Sequence, residues 1–308
     1  MRIIFFGTSE FSAHILRYLL DQKTSIVAVV TQPDRPRGRS SSLVFSPVKS
    51  LLSELGTERP LFQPEKSSEL QFIENLKACK AELYVVVAFG QILPQELLDI
   101  PPLGCINIHA SLLPLYRGAA PIQRSLMAGA KETGVSIQKM VKQLDAGDVI
   151  ATVKTEIPWE MNCGELQEML CDLSKPLLLS VLQAFENGVP QAAPQNHALA
   201  TYAAKIQPEE GQIDWTQSSE VLHNLIRAFS PKPGARCWVT IGNEKKMVKI
   251  LRAQAIPQKG APGEWLANDA VVGCGKGSLR LMEVQPEGKK AMSAADWLRG
   301  FHVPPHFS

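Results

Sequence analysis

The chain has 308 residues, of which 45% are hydrophobic, and a formal net charge of +2 at pH 7. Because this length exceeds the usual size of one compact domain, we expect two domains. The near-neutral charge requires neither a nucleic acid nor a membrane as partner, and no apolar run approaches the ~20 residues of a membrane helix.

Strand and helix patterns alternate through the first half of the chain. Short apolar runs predict strands at 3–6, 26–30, 83–88 and 105–109, and a hairpin at 135–140 and 149–157. Helical spacing predicts helices at 11–19, 71–79 and 166–185. Thr8 or Ser9 is expected to cap the first helix, and Pro176 is expected to kink or break the third. This alternation predicts a Rossmann-like α/β domain, with a mostly parallel sheet and helices on both faces.

The pattern changes in the second half. Three prolines and small residues between 188 and 208 indicate a linker. One helix is predicted at 221–229, followed by short strands at 237–241, 247–253, 270–272 and 278–284. Such strands favour a small β-barrel resembling an oligonucleotide-binding fold. We therefore predict a catalytic domain at 1–188, a linker at 189–208 and a β-barrel domain at 209–308.

A long polar loop follows the second predicted strand. It runs from Thr31 to Ser40, continues to Lys49 with little regular pattern, and carries Arg35, Arg37 and Arg39. Loops between a strand and a helix usually have about 2–6 residues, so one of this length is either functional or disordered. Guanidinium groups suit phosphate oxygens, but the arginines of a solvated surface loop would look the same.

The strand at 105–109 has a polar face. Residues two apart in a strand share a face, so Asn107 and His109 point one way and the isoleucines between and before them point the other. Ligands of open α/β sheets bind at the carboxyl ends of the strands. We therefore expect this amide and imidazole to lie at a ligand site.

Asp145 opens a glycine-containing turn between the two hairpin strands. A carboxylate there could hold an imidazole in one tautomer, or it could simply close its own turn. Together with Asn107 and His109 it suits acyl transfer to an amine. The amide and an imidazolium can donate to an oxyanion, and a carboxylate-linked histidine can take the proton of the amine.

The segment Asn-Ile-His-Ala-Ser-Leu-Leu-Pro, followed by Tyr-Arg-Gly-Ala-Ala-Pro and later by Leu-Asp-Ala-Gly-Asp, resembles the folate-dependent formyltransferases. The resemblance implies that Asn107, His109 and Asp145 are the catalytic residues. It also implies 10-formyltetrahydrofolate as co-substrate. Two segments would bind the folate, through Phe89, Gly90, Gln91, Ile92 and Leu93, and through Ser111, Leu112, Leu113 and Pro114.

Within that family, the sequence is most similar to the members that formylate methionyl-initiator tRNA. The stretches that carry this similarity include Thr-Gln-Pro-Asp-Arg-Pro from Thr31, and Arg-Ala-Phe from Arg227. It implies tRNA contacts by Arg35, Arg37 and Arg39. From Arg227 onward the chain has 13 Lys and Arg against 6 Asp and Glu, an imbalance that suits phosphate contacts, although a generic basic surface would show it too.

Other functions remain open at this point. They are a formyltransferase for a small amine such as an amino sugar nucleotide, a hydrolase that releases formate, and a non-catalytic RNA-binding module. Gly7 follows the first strand, but the other glycines of a dinucleotide motif are missing, so NAD binding is not expected.

The six cysteines and the five histidines other than His109 do not indicate a further functional site. The six cysteines include no CxxC pair, so we expect no metal, and they lie in apolar segments, as reduced, buried thiols do. We also expect a cytoplasmic protein that acts as a monomer and has no membrane partner. Five histidines lack a polar companion and are expected to be structural: His14, His197, His223, His302 and His306.

Overall fold

The computed structural model describes residues 1–36, 43–242, 244–267, 270–300 and 305–308. The chain forms two compact units. The first comprises Met1–Gly118, Thr133–Thr155 and Glu168–Tyr202, and the second comprises Ala119–Glu132, Glu156–Gln167 and Ala203–Ser308. These units interleave along the sequence, whereas the predicted domains are consecutive. The assignment of function to 1–188, 189–208 and 209–308 stays a prediction.

The first unit contains a seven-stranded sheet. Its strands, together with the short strands β3, β4 and β8 that lie outside the sheet, are β1 (Ile3–Gly7), β2 (Ile26–Val30), β3 (Arg35–Pro36), β4 (Leu43–Val44), β5 (Leu61–Phe62), β6 (Leu83–Val87), β7 (Cys105–His109), β8 (Arg117–Gly118), β9 (Glu132–Lys139) and β10 (Val149–Glu156). The order across the sheet is β10-β9-β7-β6-β1-β2-β5. The pairs from β5 to β7 are parallel, and β9 runs antiparallel to β7. The predicted mostly parallel sheet, with the hairpin at its edge, is confirmed.

The described residues also form eight α-helices. They are α1 (Glu10–Asp21), α2 (Pro47–Glu54), α3 (Leu70–Ala78), α4 (Gln95–Leu98), α5 (Pro121–Met127), α6 (Cys163–Glu186), α7 (Ser219–Phe229) and α8 (Ala294–Leu298). Ser9 caps α1 by accepting the Ser12 N–H at 3.3 Å, as predicted. A kink or break was predicted in α6: the break is wrong, because the helix continues through Pro176 for 24 residues, and the kink stays a prediction. None of these helices is long and apolar enough to cross a membrane.

Buried aromatic rings hold the segment that follows β6. All five residues of β1 and of β6 are buried, as expected for central parallel strands. The Phe6 ring lies 5.2 Å from that of Tyr84 and 5.5 Å from that of Phe89. Phe89 follows the β6 strand after one intervening residue. This cluster therefore fixes the chain at the carboxyl end of β6, the edge of the sheet where ligands bind in this class of fold.

An antiparallel sheet dominates the second unit. After β11 (Tyr202–Ala203), the strands are β12 (Ala235–Ile241), β13 (Glu244–Ile256), β14 (Trp265–Ala267), β15 (Val271–Gly273), β16 (Ser278–Pro286), β17 (Met292–Ser293) and β18 (His306–Phe307). The order is β14-β15-β16-β13-β12-β18, with β17 beside β16. The Phe307 N–H donates to the carbonyl oxygen of Gly263 at 3.1 Å, just before β14. The two ends of the sheet thus meet, which confirms the predicted small barrel.

Candidate active site

Asn107 and His109 lie on one face of β7, near its carboxyl end. In the antiparallel pairing of β7 with β9, Asn107 is opposite Gln138 and His109 is opposite Ser136. Opposite residues share a face, so four polar side chains cluster on this side of the sheet. Asn107 is partly buried and His109 is buried. The predicted strand, with its polar face at the carboxyl end, is therefore present.

Asp145 reaches this cluster from the turn between β9 and β10. Its Oδ1 accepts from Asn107 Nδ2 at 3.4 Å and from Gln138 Nε2 at 3.0 Å. Its Oδ2 accepts from the backbone N–H of Gly118 at 2.8 Å and lies 3.7 Å from His109 Nδ1. The amide, the imidazole and the carboxylate thus meet at one place, although Asp145 comes 36 positions after His109 in the sequence.

The turn that carries Asp145 is tight. Asp145 has a φ of 49°, in the left-handed region that non-glycine residues seldom occupy. Gly147 lies against β9, because an added Cβ would come within 1.8 Å of the Lys139 carbonyl oxygen. The backbone therefore requires a glycine two residues after the aspartate. The strained conformation at Asp145 is of the kind that persists only where surrounding contacts impose it.

The two ring nitrogens of His109 have different partners. Nε2 lies 2.9 Å from the carbonyl oxygen of Tyr116, which can only accept, so we assign a hydrogen to Nε2. Nδ1 faces the Asp145 carboxylate. A proton added to Nδ1 would lie between the ring and a negative charge. The neutral ring can therefore act as a base at Nδ1, and its charged form would be held by Asp145.

The predicted folate segment after β6 divides into buried and exposed residues. The side chains of Phe89 and Leu93 are buried in the hydrophobic core, and the Phe89 carbonyl already accepts from Thr8 Oγ1 at 2.8 Å and from Gln32 Nε2 at 3.3 Å. Gln91 uses its amide on the segment that follows β5, accepting from the Ser67 N–H at 2.7 Å and donating to the Pro64 carbonyl at 3.1 Å. Gly90, with a φ of 90°, and Ile92 are exposed. Both can contact a ligand directly.

The second predicted folate segment, Ser111 to Pro114, forms a turn after β7. Ser111 is fully buried and donates to the Leu115 carbonyl at 2.6 Å. The N–H of Leu113 donates to Ser136 Oγ at 3.0 Å. Leu112, Leu113 and Pro114 are partly buried, and the peptide bond before Pro114 is cis. The turn is therefore fixed to β9 beside the catalytic candidates.

Of the three predicted tRNA-binding arginines, Arg37 and Arg39 lie outside the described residues. Arg35 is exposed in β3 and forms an ion pair with Glu65. The loop is shorter than predicted, since Ser46 caps α2 and Pro47 to Lys49 are helical. Lys49 pairs with Asp34, so part of the loop's charge is neutralised locally.

The family is shown by sequence comparison. A formyl transferase family model matches residues 1–182, and a model of the formyl transferase C-terminal domain matches residues 205–302. The chain belongs to the formyl transferase family. Among its curated relatives, a protein named methionyl-tRNA formyltransferase from Protochlamydia amoebophila (strain UWE25) is 48% identical over 97% of this chain and 95% of the relative. One of the same name from Methylobacterium sp. (strain 4-46) is 42% identical over 99% of this chain and 98% of the relative.

Solved structures share the fold of this formyl transferase at low identity. HypX from Aquifex aeolicus, in complex with tetrahydrofolic acid, is 19% identical with a TM-score of 0.67, and the match covers 97% of this chain. This chain spans only 47% of HypX. WlaRD, a sugar 3N-formyl transferase, is 17% identical with a TM-score of 0.67, covering 94% of this chain and 99% of its own.

Several polar residues of this formyl transferase site were not predicted from its sequence. Ser136 and Gln138 are buried on one face of β9 while Val135 and Ile137 are buried on the other. Polar residues at every second position of a strand, beside the catalytic candidates, are a signal that could have been used. Gln195 and Arg117 are also buried near Asp145, but their partners are distant in sequence and no local pattern indicates them.

Two histidines that we expected to lack polar companions have them. His197 is exposed and accepts from Arg117 at 3.0 Å, and His223 is buried with its Nε2 3.6 Å from Glu160. His302 lies outside the described residues. Among the residues that the structure describes, no group of three His, Cys, Asp or Glu side chains is arranged to hold a metal ion.

Proposed function

We propose that this formyl transferase moves the formyl group of 10-formyltetrahydrofolate to the amino group of methionyl-initiator tRNA. The product, N-formylmethionyl-tRNA, would serve translation initiation. The observation that carries the proposal is the meeting of Asn107, His109 and Asp145 at the end of β7. The relatives named methionyl-tRNA formyltransferase, which are 42–48% identical over nearly the whole chain, support this choice of acceptor.

His109 is the proposed base. Attack by an amine on the formyl carbon creates a positive charge on nitrogen, and a proton must leave. Nδ1 of His109 is positioned to accept that proton, since Nε2 already donates to Tyr116. Asp145 Oδ2, at 3.7 Å, would then stabilise the imidazolium. The bond between the formyl carbon and N10 of the folate would break next, and the imidazolium would return its proton to N10 as tetrahydrofolate leaves. The backbone N–H of Gly118 and the Gln138 amide hold the carboxylate in this orientation.

Asn107 is the proposed oxyanion donor. Its amide nitrogen carries two hydrogens, and one of them points to Asp145 Oδ1. The second remains to donate to the oxygen that becomes negative when the formyl carbon is attacked. Because the strand and Asp145 fix the Asn107 side chain beforehand, little reorganisation is needed during the reaction.

The segments proposed to bind folate fit a pterin. The ring system of a pterin needs polar atoms at its edge and apolar contact on its faces. The exposed backbone around Gly90 supplies polar atoms, and Ile92 and the partly buried Leu112 and Leu113 supply apolar contact. The bound folate would provide the activated formyl group. In this arrangement, Ser111 and Pro114 shape the turn beside His109.

The tRNA partner is proposed from charge. Arg35, Arg37 and Arg39, with the basic carboxyl-terminal part from Arg227 onward, would contact phosphates. We assign catalysis to residues 1–188 and tRNA binding to the barrel at 209–308, joined by a linker at 189–208. The protein is proposed to act as a monomer in the cytoplasm, where its six free cysteines would remain reduced.

An acceptor screen with a labelled formyl donor tests the function. Purified protein is incubated with methionyl-initiator tRNA, with a nucleotide-linked amino sugar, or with no acceptor. We expect label on the tRNA alone. Label on the sugar alone would establish the alternative of a small-amine formyltransferase, and release of formate without acceptor would establish a hydrolase. No product under any condition would refute the proposed function.

A further inference from the structure

Gln195 is a buried polar residue to which the mechanism above gives no role. It lies between the two family matches, which end at residue 182 and resume at 205. By sequence it belongs to the predicted linker at 189–208, where a solvated side chain would be expected. Yet it is only 8% exposed, and its backbone belongs to the same compact unit as Asp145. A glutamine is seldom so buried unless its amide is used.

The amide nitrogen of Gln195 holds the turn that carries Asp145. Nε2 donates to the carbonyl oxygen of Asp145 at 2.9 Å and to that of Gly147 at 2.6 Å. The two shortest contacts of this amide nitrogen are thus to the two carbonyls on either side of Ala146, and a longer one, of 3.3 Å, is to Gln138 Oε1. This is the turn in which Asp145 adopts its φ of 49°. The contacts act on the backbone of Asp145 and leave its carboxylate free for Asn107, Gln138, Gly118 and His109.

The amide oxygen of Gln195 is fixed by a buried arginine. Oε1 accepts from Arg117 Nε at 3.1 Å and from a terminal guanidinium nitrogen at 2.6 Å. Arg117 is 1% exposed, and the same terminal nitrogen also donates to His197 Nδ1. Because a guanidinium only donates, the oxygen of Gln195 must face it and the nitrogen must face the turn. Arg117 therefore decides which end of the amide reaches Asp145.

We propose that Gln195 is a positioning residue that sets the carboxylate of Asp145 against His109, with Arg117 orienting its amide. The proposal rests on the catalytic role proposed above for Asp145. The left-handed conformation at Asp145 is unfavourable in itself, so the turn keeps it only while external contacts hold the backbone. Without the two N–H donors the turn can relax. A shift of about 1 Å in a catalytic group can cost ~10²-fold in rate.

Gln195→Glu is the most informative variant. Glutamate has the same shape and still accepts from Arg117, but it cannot donate to the carbonyls of Asp145 and Gly147. We expect kcat for formyl transfer to fall by ~10²-fold while KM for either substrate changes less than about threefold. If this variant does not fold, Gln195→Met removes the same donors without adding a charge. Leu178→Ala, in the buried face of α6, controls for lost stability alone.

A double-mutant cycle separates positioning from a structural role. In the Asp145→Asn background, where the carboxylate is already gone, Gln195→Glu should lower kcat by less than about threefold. Equal losses in both backgrounds, or a wild-type kcat for Gln195→Glu, would overturn the proposal while the proposed function stands. A loss in Leu178→Ala as large as that in Gln195→Glu would also overturn it. Failure of the wild-type protein to transfer formyl would instead refute the proposed function.

Discussion

Replacing Asp145 by asparagine removes one negative charge and leaves the turn in place. Asparagine tolerates the left-handed backbone at this position at least as well as aspartate does. The change therefore tests the carboxylate and leaves the backbone conformation unchanged. In the wild type, Oδ1 of Asp145 faces the N–H donors of Asn107 and Gln138, and Oδ2 faces the Gly118 N–H and Nδ1 of His109.

The structure sets the expected size of the effect. Whichever way the new amide is turned, its NH₂ group faces at least one N–H donor, which loses its acceptor. This should cost about 1–3 kcal/mol of stability. Catalysis should lose more, because the imidazolium of His109 loses its counter-charge. In other enzymes an Asp→Asn change beside a catalytic histidine lowers kcat by ~10⁴, and we expect ~10³–10⁴, or about 4–5.5 kcal/mol of barrier.

The assay is the single-turnover rate of formyl transfer to methionyl-initiator tRNA, with urea unfolding measured in parallel. Asp148→Asn is the matched control, because Asp148 is exposed in the same turn and its side chain takes no part in the site. We expect Asp148→Asn to retain the wild-type rate. An Asp145→Asn rate within about tenfold of wild type, or an equal loss in Asp148→Asn, would refute the reasoning.

The remaining predictions concern other parts of the molecule. Asn107→Ala should lower kcat by ~10²–10³ with little change in the unfolding midpoint, because one oxyanion donor is lost; an unchanged kcat would exclude that role. Gly147→Ala should lower stability by about 3 kcal/mol or more in urea unfolding, since the new Cβ would collide with the Lys139 carbonyl, and an unchanged midpoint would contradict this. KM for tRNA should rise at least ~10-fold between about 50 and 200 mM salt while KM for the folate stays nearly constant; equal salt responses would argue against phosphate contacts. Burial lowers the pKa of His223 below its ordinary 6.5, so below pH 6.5 the unfolded chain binds a proton more readily than the folded protein does. The free energy of unfolding should therefore decrease as pH falls below 6.5. His223→Gln should make it less dependent on pH in this range, and an unaltered slope would contradict the prediction.

Much of the fold could be predicted because the local pattern and the tertiary environment agree. β2 and β7 were predicted to the residue, and the N-cap of α1 was among the two residues named, because apolar runs, helical spacing and a capping serine all act locally. The break in α6 was wrong for a physical reason. A proline interrupts one hydrogen bond, but a long helix with apolar residues buried on both sides of Pro176, such as Leu170 and Leu178, can retain its course.

The site was predicted only in part, because its partners come together through tertiary structure. The strand alternation places Asn107 and His109 together, and the turn pattern singles out Asp145. The network that holds Asp145 was missed because Gln138 is on an adjacent strand and Gln195 lies in a segment that looks like a linker. Glutamine carries no catalytic signal in a sequence. Only the folded structure shows that the Gln195 amide donates hydrogen bonds to the turn that carries Asp145.

The rate of formyl transfer in His109→Ala, compared with the unfolding midpoint of the same variant, tests the central claim most directly. If His109 takes the proton of the attacking amine, this variant should fold like the wild type yet transfer labelled formyl to methionyl-initiator tRNA at least ~10²-fold more slowly. A folded His109→Ala protein that formylates the tRNA at the wild-type rate would show that the reaction does not occur at the end of β7.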